Sequence, residues 1–247
     1  MHKLFSKIIA AAGLSGLLLA AGPAMAQEAF KPDFRDLALG KSAADLSPAD
    51  YDVFACGSDG GPPLAQLTGW TDFAKCAPDA RGLHEVYVAF GTDLKAMADR
   101  VQDQFHDEPW YKKFSGTRVA GFPVVMSMLF DDAGIARGFR VVTDQRAPID
   151  ERAHAYMLPF RVKPRFDGWV CTDTPPADGE TPVGKVFINQ QCSVTVGPKL
   201  VTLDTHLFRK RGQTGLDTNG QPVRGEFESL TRWETWDKAF LDKTAAK

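Results

Sequence analysis

Two cysteine-bounded loops constrain the fold of this chain more than any other feature. One runs from Cys56 to Cys76 and the other from Cys171 to Cys192; both are rich in glycine, proline and polar residues, and the chain has no other cysteines. Four cysteines can pair in three ways, and we favour local closure of each loop as the simplest. Each bond would remove roughly 3 kcal/mol of conformational entropy from the unfolded chain. The rival interpretation is a zinc site, which no Cys-x-x-Cys knuckle supports.

Residues 1–26 have the pattern of a secretory signal peptide. Two lysines precede an apolar run, and Ala24-Met25-Ala26 forms a small-residue cleavage site. The alternative, a membrane anchor, is weaker because Gly22-Pro23 interrupts the short apolar run. The pattern predicts a soluble exported protein, periplasmic or secreted, without a transmembrane segment after cleavage. Such a compartment permits disulfide bonds.

The charge balance argues against two classes of partner. The formal net charge of the whole chain is −2, and removal of residues 1–26 takes away two lysines and no acidic residue, which leaves −4. General nucleic-acid binders and binders of anionic membranes carry a basic excess instead. We therefore expect no nucleic-acid partner. The length fits one large domain or two small ones.

Apolar periodicity predicts both helices and strands. Apolar positions three or four apart predict a helix over about 93–105, and a second helix is expected from Pro148 to Pro159. Phe122–Phe130 and Ile135–Thr143 flank a tight turn and are expected to pair as an antiparallel hairpin. Further strands are expected over 186–196, 200–210 and 225–236.

These elements together predict an α+β fold, with an antiparallel sheet, two main helices and two disulfide-stapled loops. We expect an N-terminal α+β half, residues 27–145, and a C-terminal half, residues 146–247, that together form one continuous compact unit.

The residues around the first cysteine loop follow a recognisable order. Phe34 precedes the pattern Leu-Gly-x-Ser-x-x-x-Leu over 39–46, which is followed by the cysteine pair and a strand-like run that ends at Phe90. This order resembles one repeat of the beta-lactamase-inhibitory-protein-like fold, with Lys41 where those repeats usually have methionine. The resemblance covers about 34–90 and implies a helix–loop–helix on a small antiparallel sheet, with protein binding as the function. The whole chain also resembles uncharacterised periplasmic proteins of proteobacteria.

Three residues are candidates for a ligand or metal site. Asp204 and His206 share one side of a predicted strand, and His84 begins another. Were the two strands neighbours, these side chains could form a metal or acid–base site. The competing interpretation of His84 is a core histidine with satisfied hydrogen bonds, because it has the parity of Val86 and Val88.

Two further groups are candidates for contact with a partner. One is a small basic patch formed by Arg209, Lys210, Arg211 and Arg232. Its alternative role is cross-strand ion pairing on a solvated face with the nearby acidic residues Glu226, Glu228 and Glu234. Trp233 and Trp236 are three residues apart, so in a strand they point to opposite faces. We expect one of them to be exposed, and tryptophan is enriched at the energetic centres of protein interfaces.

The sequence carries no motif of a known catalytic class. Residues 27–247 contain no nucleophile elbow, no His-x-x-x-His spacing and no cofactor signature. The glycine-rich stretch 57–63 lacks the Gly-Lys-Ser/Thr ending of a phosphate loop, and we interpret it as a stapled surface loop. The leading hypothesis is a non-catalytic exported protein that binds another protein or an envelope component. The alternatives are a small-ligand or metal-binding protein and a hydrolase without a readable motif.

Overall fold

An antiparallel sheet dominates the molecule. The computed structural model describes residues 39–49, 51–90, 117–213 and 227–245. These residues belong to one compact unit, Ala38–Lys247. They contain ten strands: β1 Tyr51–Cys56, β2 Gln66–Leu67, β3 His84–Phe90, β4 Arg118–Val119, β5 Phe122–Phe130, β6 Ala136–Thr143, β7 Val170–Asp173, β8 Ile188–Val196, β9 Lys199–Phe208 and β10 Glu228–Asp237.

The strand order joins the early and late parts of the chain. The order is β2-β1-β3-β5-β6-β10-β9-β8-β7, and β4 pairs with β5 outside this path. All the pairings are antiparallel. The last strand, β10, therefore lies between β6 and β9, where each of its residues has a neighbour on at least one side. This position makes β10 a central element of the sheet.

The predicted hairpin is confirmed. β5 and β6 pair over most of their length, with Met128 opposite Phe139. In the turn, the Gly134 N–H donates to the Asp131 carbonyl, and the Asp131 N–H donates to the Ile135 carbonyl. Nearly all residues of both strands are buried, as expected for strands covered on two sides.

The predicted α+β class with two main helices is wrong, because the described residues form a sheet with only small helices. The α-helices are α1 Ile149–Arg152, α2 Pro159–Val162 and α3 Lys238–Ala245, and the 3₁₀-helices are Ala43–Asp45, Trp70–Lys75, Ala155–Met157 and Lys163–Arg165. The helix predicted over about 93–105 lies outside the described residues. The helix predicted from Pro148 to Pro159 is broken into α1 and a 3₁₀ turn.

Hydroxyl groups of β10 explain why that helix breaks. The Ser229 hydroxyl donates to the Ala153 carbonyl and accepts from the Tyr156 N–H. The Thr231 hydroxyl donates to the Ala155 carbonyl. These bonds tie three backbone groups of the segment to the sheet, and the Ala155 carbonyl also accepts from the Leu158 N–H in a 3₁₀ turn. The segment therefore lies along β10 as short turns.

The two faces of the sheet differ in character. One face, which we call the apolar face, carries the fully buried side chains of Val86, Val88, Met126, Met128 and Val141 on three adjacent strands. The 3₁₀-helix Trp70–Lys75 packs on it, with the Trp70 ring centroid 5.0 Å from that of Phe54. The side chains buried on this face form one part of the core.

The opposite face carries charged side chains over its centre. At one end of this face α3 covers an apolar cluster of Leu83, Leu129 and Trp236, against which Phe240 and Leu241 pack. Gly138 lies directly under Trp236, and a Cβ atom at this position would come within 2.6 Å of the indole ring. The glycine therefore permits the close packing of Trp236 on β6.

Both disulfides are present, and the prediction of disulfide bonds is confirmed. Cys56 is bonded to Cys76 and Cys171 to Cys192, the pairing expected from local closure. The first bond is buried at both cysteines. The second joins directly opposite residues of β7 and β8, where Cys192 is buried and Cys171 is exposed.

Candidate functional site

A band of charged side chains crosses the face of the sheet opposite the apolar face. Residues directly opposite each other on neighbouring strands share a face, and the register places Arg140 opposite Glu234 and Arg232 opposite Asp204. The same face continues onto β3 and to the ends of β9 and β10. We call the following residues the charged band: Glu85, Arg140, Asp204, His206, Glu228, Arg232 and Glu234.

Arg140 is the centre of the buried end of the band. Its side chain is only 3% exposed. Its Nε donates to Glu234 Oε1 at 2.7 Å, and its Nη1 donates to Glu85 Oε2 at 2.8 Å. Glu234 is held further by the Trp236 indole N–H, which donates to Oε2 at 3.2 Å. A buried guanidinium needs such partners, because an unpaired charge in the interior is strongly unfavourable.

The electrostatic effect of the arginines is visible in the pKa of Glu234. Burial by itself would raise this pKa, but the charges of Arg232 and Arg140 and their hydrogen bonds to the carboxylate lower it below its ordinary value. Burial likewise acts to lower the pKa of Arg232, and the neighbouring Glu234 and Asp59 reverse that effect and raise it. Both groups therefore stay charged at neutral pH.

The glycine-rich loop 57–61 lies over this buried end. The Gly57 N–H donates to the Glu85 carbonyl at 2.8 Å, and the Asp59 N–H donates to Glu85 Oε2 at 2.8 Å. A Cβ atom on Gly60 would meet a methyl carbon of Val142 at 2.4 Å. Glycine thus allows the loop backbone to lie directly on the sheet, while the Cys56–Cys76 bond holds its stem.

The exposed end of the band is built around His206. The Nδ1 atom of His206 lies 2.9 Å from Glu228 Oε1. Its Nε2 atom lies 3.1 Å from Asp204 Oδ1, and this contact is an ion pair rather than an aligned hydrogen bond. Lys210 forms a further ion pair with Glu228. The interaction with Asp204 raises the pKa of His206, burial opposes this, and Glu228 adds to the rise. The pKa of Glu228, which burial would raise, is lowered by Lys210 and His206.

The structure does not bring the three predicted ligand residues together. Asp204 and His206 are neighbours on β9, as expected. His84 begins β3, which β5, β6 and β10 separate from β9. The buried His84 ring lies with Nδ1 2.6 Å from the Cys76 carbonyl and Nε2 3.1 Å from Asp132 Oδ1. His84 therefore helps to hold the first cysteine loop.

No metal-binding group is found in the described parts of the chain, where no set of three or more His, Cys, Asp or Glu side chains is arranged to hold an ion. The helices of the same residues include none with the length and apolar character needed to cross a bilayer.

The predicted partner-contact residues lie in different environments. Arg209 pairs with Thr181 through the backbone and donates from Nη1 to the Pro182 carbonyl at 2.7 Å. Lys210 joins the exposed end of the charged band, whereas Arg211 is exposed, 3.8 Å from Asp178. The expectation that one tryptophan is exposed is wrong, because both sheet faces are covered at these positions. Trp233 and Trp236 are 3% and 2% exposed.

Sequence reasoning missed the buried half of the band. Arg140 and Glu85 are absent from the sequence-based candidates, and so is Asp59 of the loop that lies over them. Arg232 and Glu234 are among the charges expected to form cross-strand ion pairs. Arg140 has apolar neighbours in sequence, FRVV over 139–142, and a charge within this apolar run is the one signal available. An arginine in a buried strand requires acidic partners on the neighbouring strands.

Comparisons with known proteins return no relative. No protein-family model, no curated protein and no solved structure matches the chain.

Proposed function

We propose that this is a non-catalytic exported protein that binds another protein or an envelope component through the exposed end of the charged band. Two disulfides are typical of extracellular and periplasmic proteins, because oxidising compartments preserve them. The signal-peptide pattern of residues 1–26 supports export, and the periplasm is the destination we favour.

One observation carries the proposal: the charged band extends from a buried, fixed end to an exposed end on the same face. Arg140 and Glu234 are held in place by the sheet, whereas Asp204, Arg232 and His206 are partly exposed beside them. Charged groups of both signs in fixed positions favour the orientation and specificity of a binding partner. Their anchoring in strands lowers the side-chain entropy that binding would otherwise cost.

The character of the rest of this face supports a macromolecular partner. Beyond the band, β8 and β9 present Gln191, Ser193 and Thr202, which are at least partly exposed and polar. A polar sheet surface suits a protein or an envelope component better than a small molecule, which prefers a concave and mostly apolar pocket.

Crosslinking in periplasm tests the proposal. We would compare the protein with the double variant Asp204→Asn/Lys210→Gln, which removes one charge of each sign from the exposed end. The matched control is Asp178→Asn/Lys185→Gln, which makes the same charge change at exposed sites elsewhere. We expect a specific co-purifying species that the first variant loses and the control retains. Equal recovery with both variants, or no specific species with the unaltered protein, would contradict the proposal.

A further inference from the structure

The carboxylate of Asp59 occupies a cradle formed by two arginines. Its Oδ1 lies 2.9 Å from Arg140 Nη1 and forms a second ion pair with Arg232 Nη2. Two guanidinium groups that converge on one oxygen form a strong site for a carboxylate or another oxyanion. Arg140 is buried among its partners, so the cradle is fixed in place before any ligand arrives.

The main chain of Asp59 is held independently of its side chain. The Asp59 N–H donates to Glu85 Oε2, and the Asp59 carbonyl accepts from Arg232 Nη1 at 3.1 Å. The side chain of Asp59 is nevertheless 73% exposed, in contrast to Arg140 at 3% and Arg232 at 23%. A rotation about the Asp59 side chain alone can therefore move its carboxylate into solvent while the loop stays on the sheet.

The backbone of Asp59 is left-handed. Its φ is +61°, a region that glycine, asparagine and aspartate adopt more readily than other residues. The neighbouring Gly60 shares a positive φ and packs against Val142. The left-handed turn thus presents the Asp59 carboxylate to both arginines.

We propose that Asp59 is an internal occupant of an oxyanion site, and that a carboxylate of an acidic peptide segment in the partner protein replaces it. This inference rests on the proposed function and names the chemistry that would be recognised at the buried end of the charged band. Arg140 and Arg232 are the binding residues, and Asp59 competes with the partner for them. Glu85 and Glu234 remain bonded to the arginines and orient them throughout.

Removing the Asp59 carboxylate from the two arginines tests the proposal. The variant Asp59→Gly removes the carboxylate and suits the positive φ, while Asp59→Asn keeps the shape of the side chain and tolerates the same φ. The probe is an N-acetylated tri-glutamate peptide, titrated by calorimetry into the purified mature protein. Because the internal competitor is gone, we expect Asp59→Gly to bind the peptide roughly tenfold more tightly, or more, than the unaltered protein. Asp59→Asn should fall between the two.

Three controls separate this result from its alternatives. Asp178→Asn, at an exposed aspartate near Arg211, should leave peptide binding unchanged. Asp59→Gly/Arg232→Gln should lose the gain while circular dichroism shows that it is folded. Inorganic phosphate, titrated in parallel, distinguishes a carboxylate site from a phosphate site, and a gain seen with phosphate alone would overturn the assignment to acidic peptide.

The proposal is overturned if Asp59→Gly binds the peptide no better than the unaltered protein, or if Asp178→Asn gains affinity equally. These results are independent of the crosslinking experiment on Asp204 and Lys210. If Asp59→Gly gains no peptide affinity but crosslinking yields a specific co-purifying species, the proposed function stands and the partner is recognised in a different way. A gain in peptide affinity without such a species would contradict the proposed function alone.

Discussion

At the scale of single residues, Arg140 is the cation that Glu85 and Glu234 share at the buried end of the charged band. Arg140→Met keeps most of the side-chain length and removes the charge, which leaves Glu85 and Glu234 buried without it. Loss of one partner from a buried ion pair costs about 3–5 kcal/mol. We expect a fall of that size in the free energy of unfolding, measured by urea denaturation.

The matched control is Arg211→Met, since Arg211 is exposed and its nearest acidic partner lies 3.8 Å away. An exposed pair of this kind contributes about 0–1 kcal/mol. If the two variants lost equal stability, Arg140 would not hold the band together.

The second residue-scale prediction concerns pH. The folded-state pKa of His206 lies above its ordinary value of 6.5, so its ion pairs stabilise the fold fully below that pH. Their contribution is lost as the pH rises through the raised pKa of the folded state. Glu228 behaves in the opposite sense, because its pKa is lowered and its contribution is lost as the pH falls below about 4.5.

Urea midpoints measured from pH 5.5 to 9 test this assignment. The unaltered protein should lose stability over the upper part of that range, and His206→Asn should lose much less. The charged groups that pair with the ring are Asp204 and Glu228, and Glu228 is also paired with Lys210. The pKa of Glu228 is lowered, so its carboxylate stays ionised across this range. The same pH dependence in both proteins would show that His206 is not its source.

The residues of the site show what a sequence can and cannot predict. Asp204 and His206 are two positions apart in one strand, so alternation alone places them on one side. The partners of Arg140 are 55 and 94 residues away. Which strands become neighbours decides those contacts, and a local pattern contains no information about that.

At the scale of elements, the hairpin of β5 and β6 is central to the fold. Met128→Asp places a carboxylate on the apolar face, where Met128 is fully buried and Val86 and Phe139 are its cross-strand neighbours. Burying a charge without a partner should destabilise the protein by several kcal/mol. Thermal unfolding followed by circular dichroism measures the effect.

The control is Val170→Asp on the outer strand β7, where the side chain is 70% exposed. This variant should unfold within a few degrees of the unaltered protein. A Met128→Asp variant with unchanged melting would mean that β5 is not a core strand.

Local pairing explains why this hairpin was predictable and the helix after Pro148 was not. The hairpin depends on apolar strands and a four-residue turn that are adjacent in sequence. The helix is interrupted by hydroxyl groups of Ser229 and Thr231, more than 70 residues away. The helical pattern over 149–158 is real, but a long-range contact overrides the local preference.

At the scale of the whole molecule, the two disulfides differ in their protection. Cys56 and Cys76 are both buried, whereas Cys171 lies on the outermost strand with its whole segment exposed. Thiol–disulfide exchange requires access of the attacking thiolate to a sulfur atom. We expect a mild reductant to open Cys171–Cys192 in the native protein and to leave Cys56–Cys76 intact.

Alkylation and peptide mapping at increasing reductant concentration would show the order of reduction. Adding urea below the unfolding midpoint should leave this order unchanged. If both bonds opened together, or if Cys56–Cys76 opened first, the result would contradict the prediction that burial protects the first disulfide from reduction.

Most strands could be predicted from the sequence, but their order in the sheet could not. The early strands β3, β5 and β6 meet the late strands through β10, which lies beside β6 rather than at an edge. Loops and helices between β6 and β7 carry the chain to the far end of the sheet, and their lengths permit several orders. This order places Arg232 and Glu234 next to Arg140 and so assembles the charged band.

Site-specific photo-crosslinking from the two faces of the sheet tests whether a partner binds through the charged band. In one variant a photoreactive residue would replace Thr202, which shares the face of the charged band and is the cross-strand neighbour of Glu234. In the other it would replace Met157, on the segment that packs on the opposite face. We expect a discrete adduct in periplasm from position 202 that disappears in the Asp204→Asn/Lys210→Gln background. We expect no such adduct from position 157. An adduct from position 157 alone, or none from position 202, would contradict binding through the charged band.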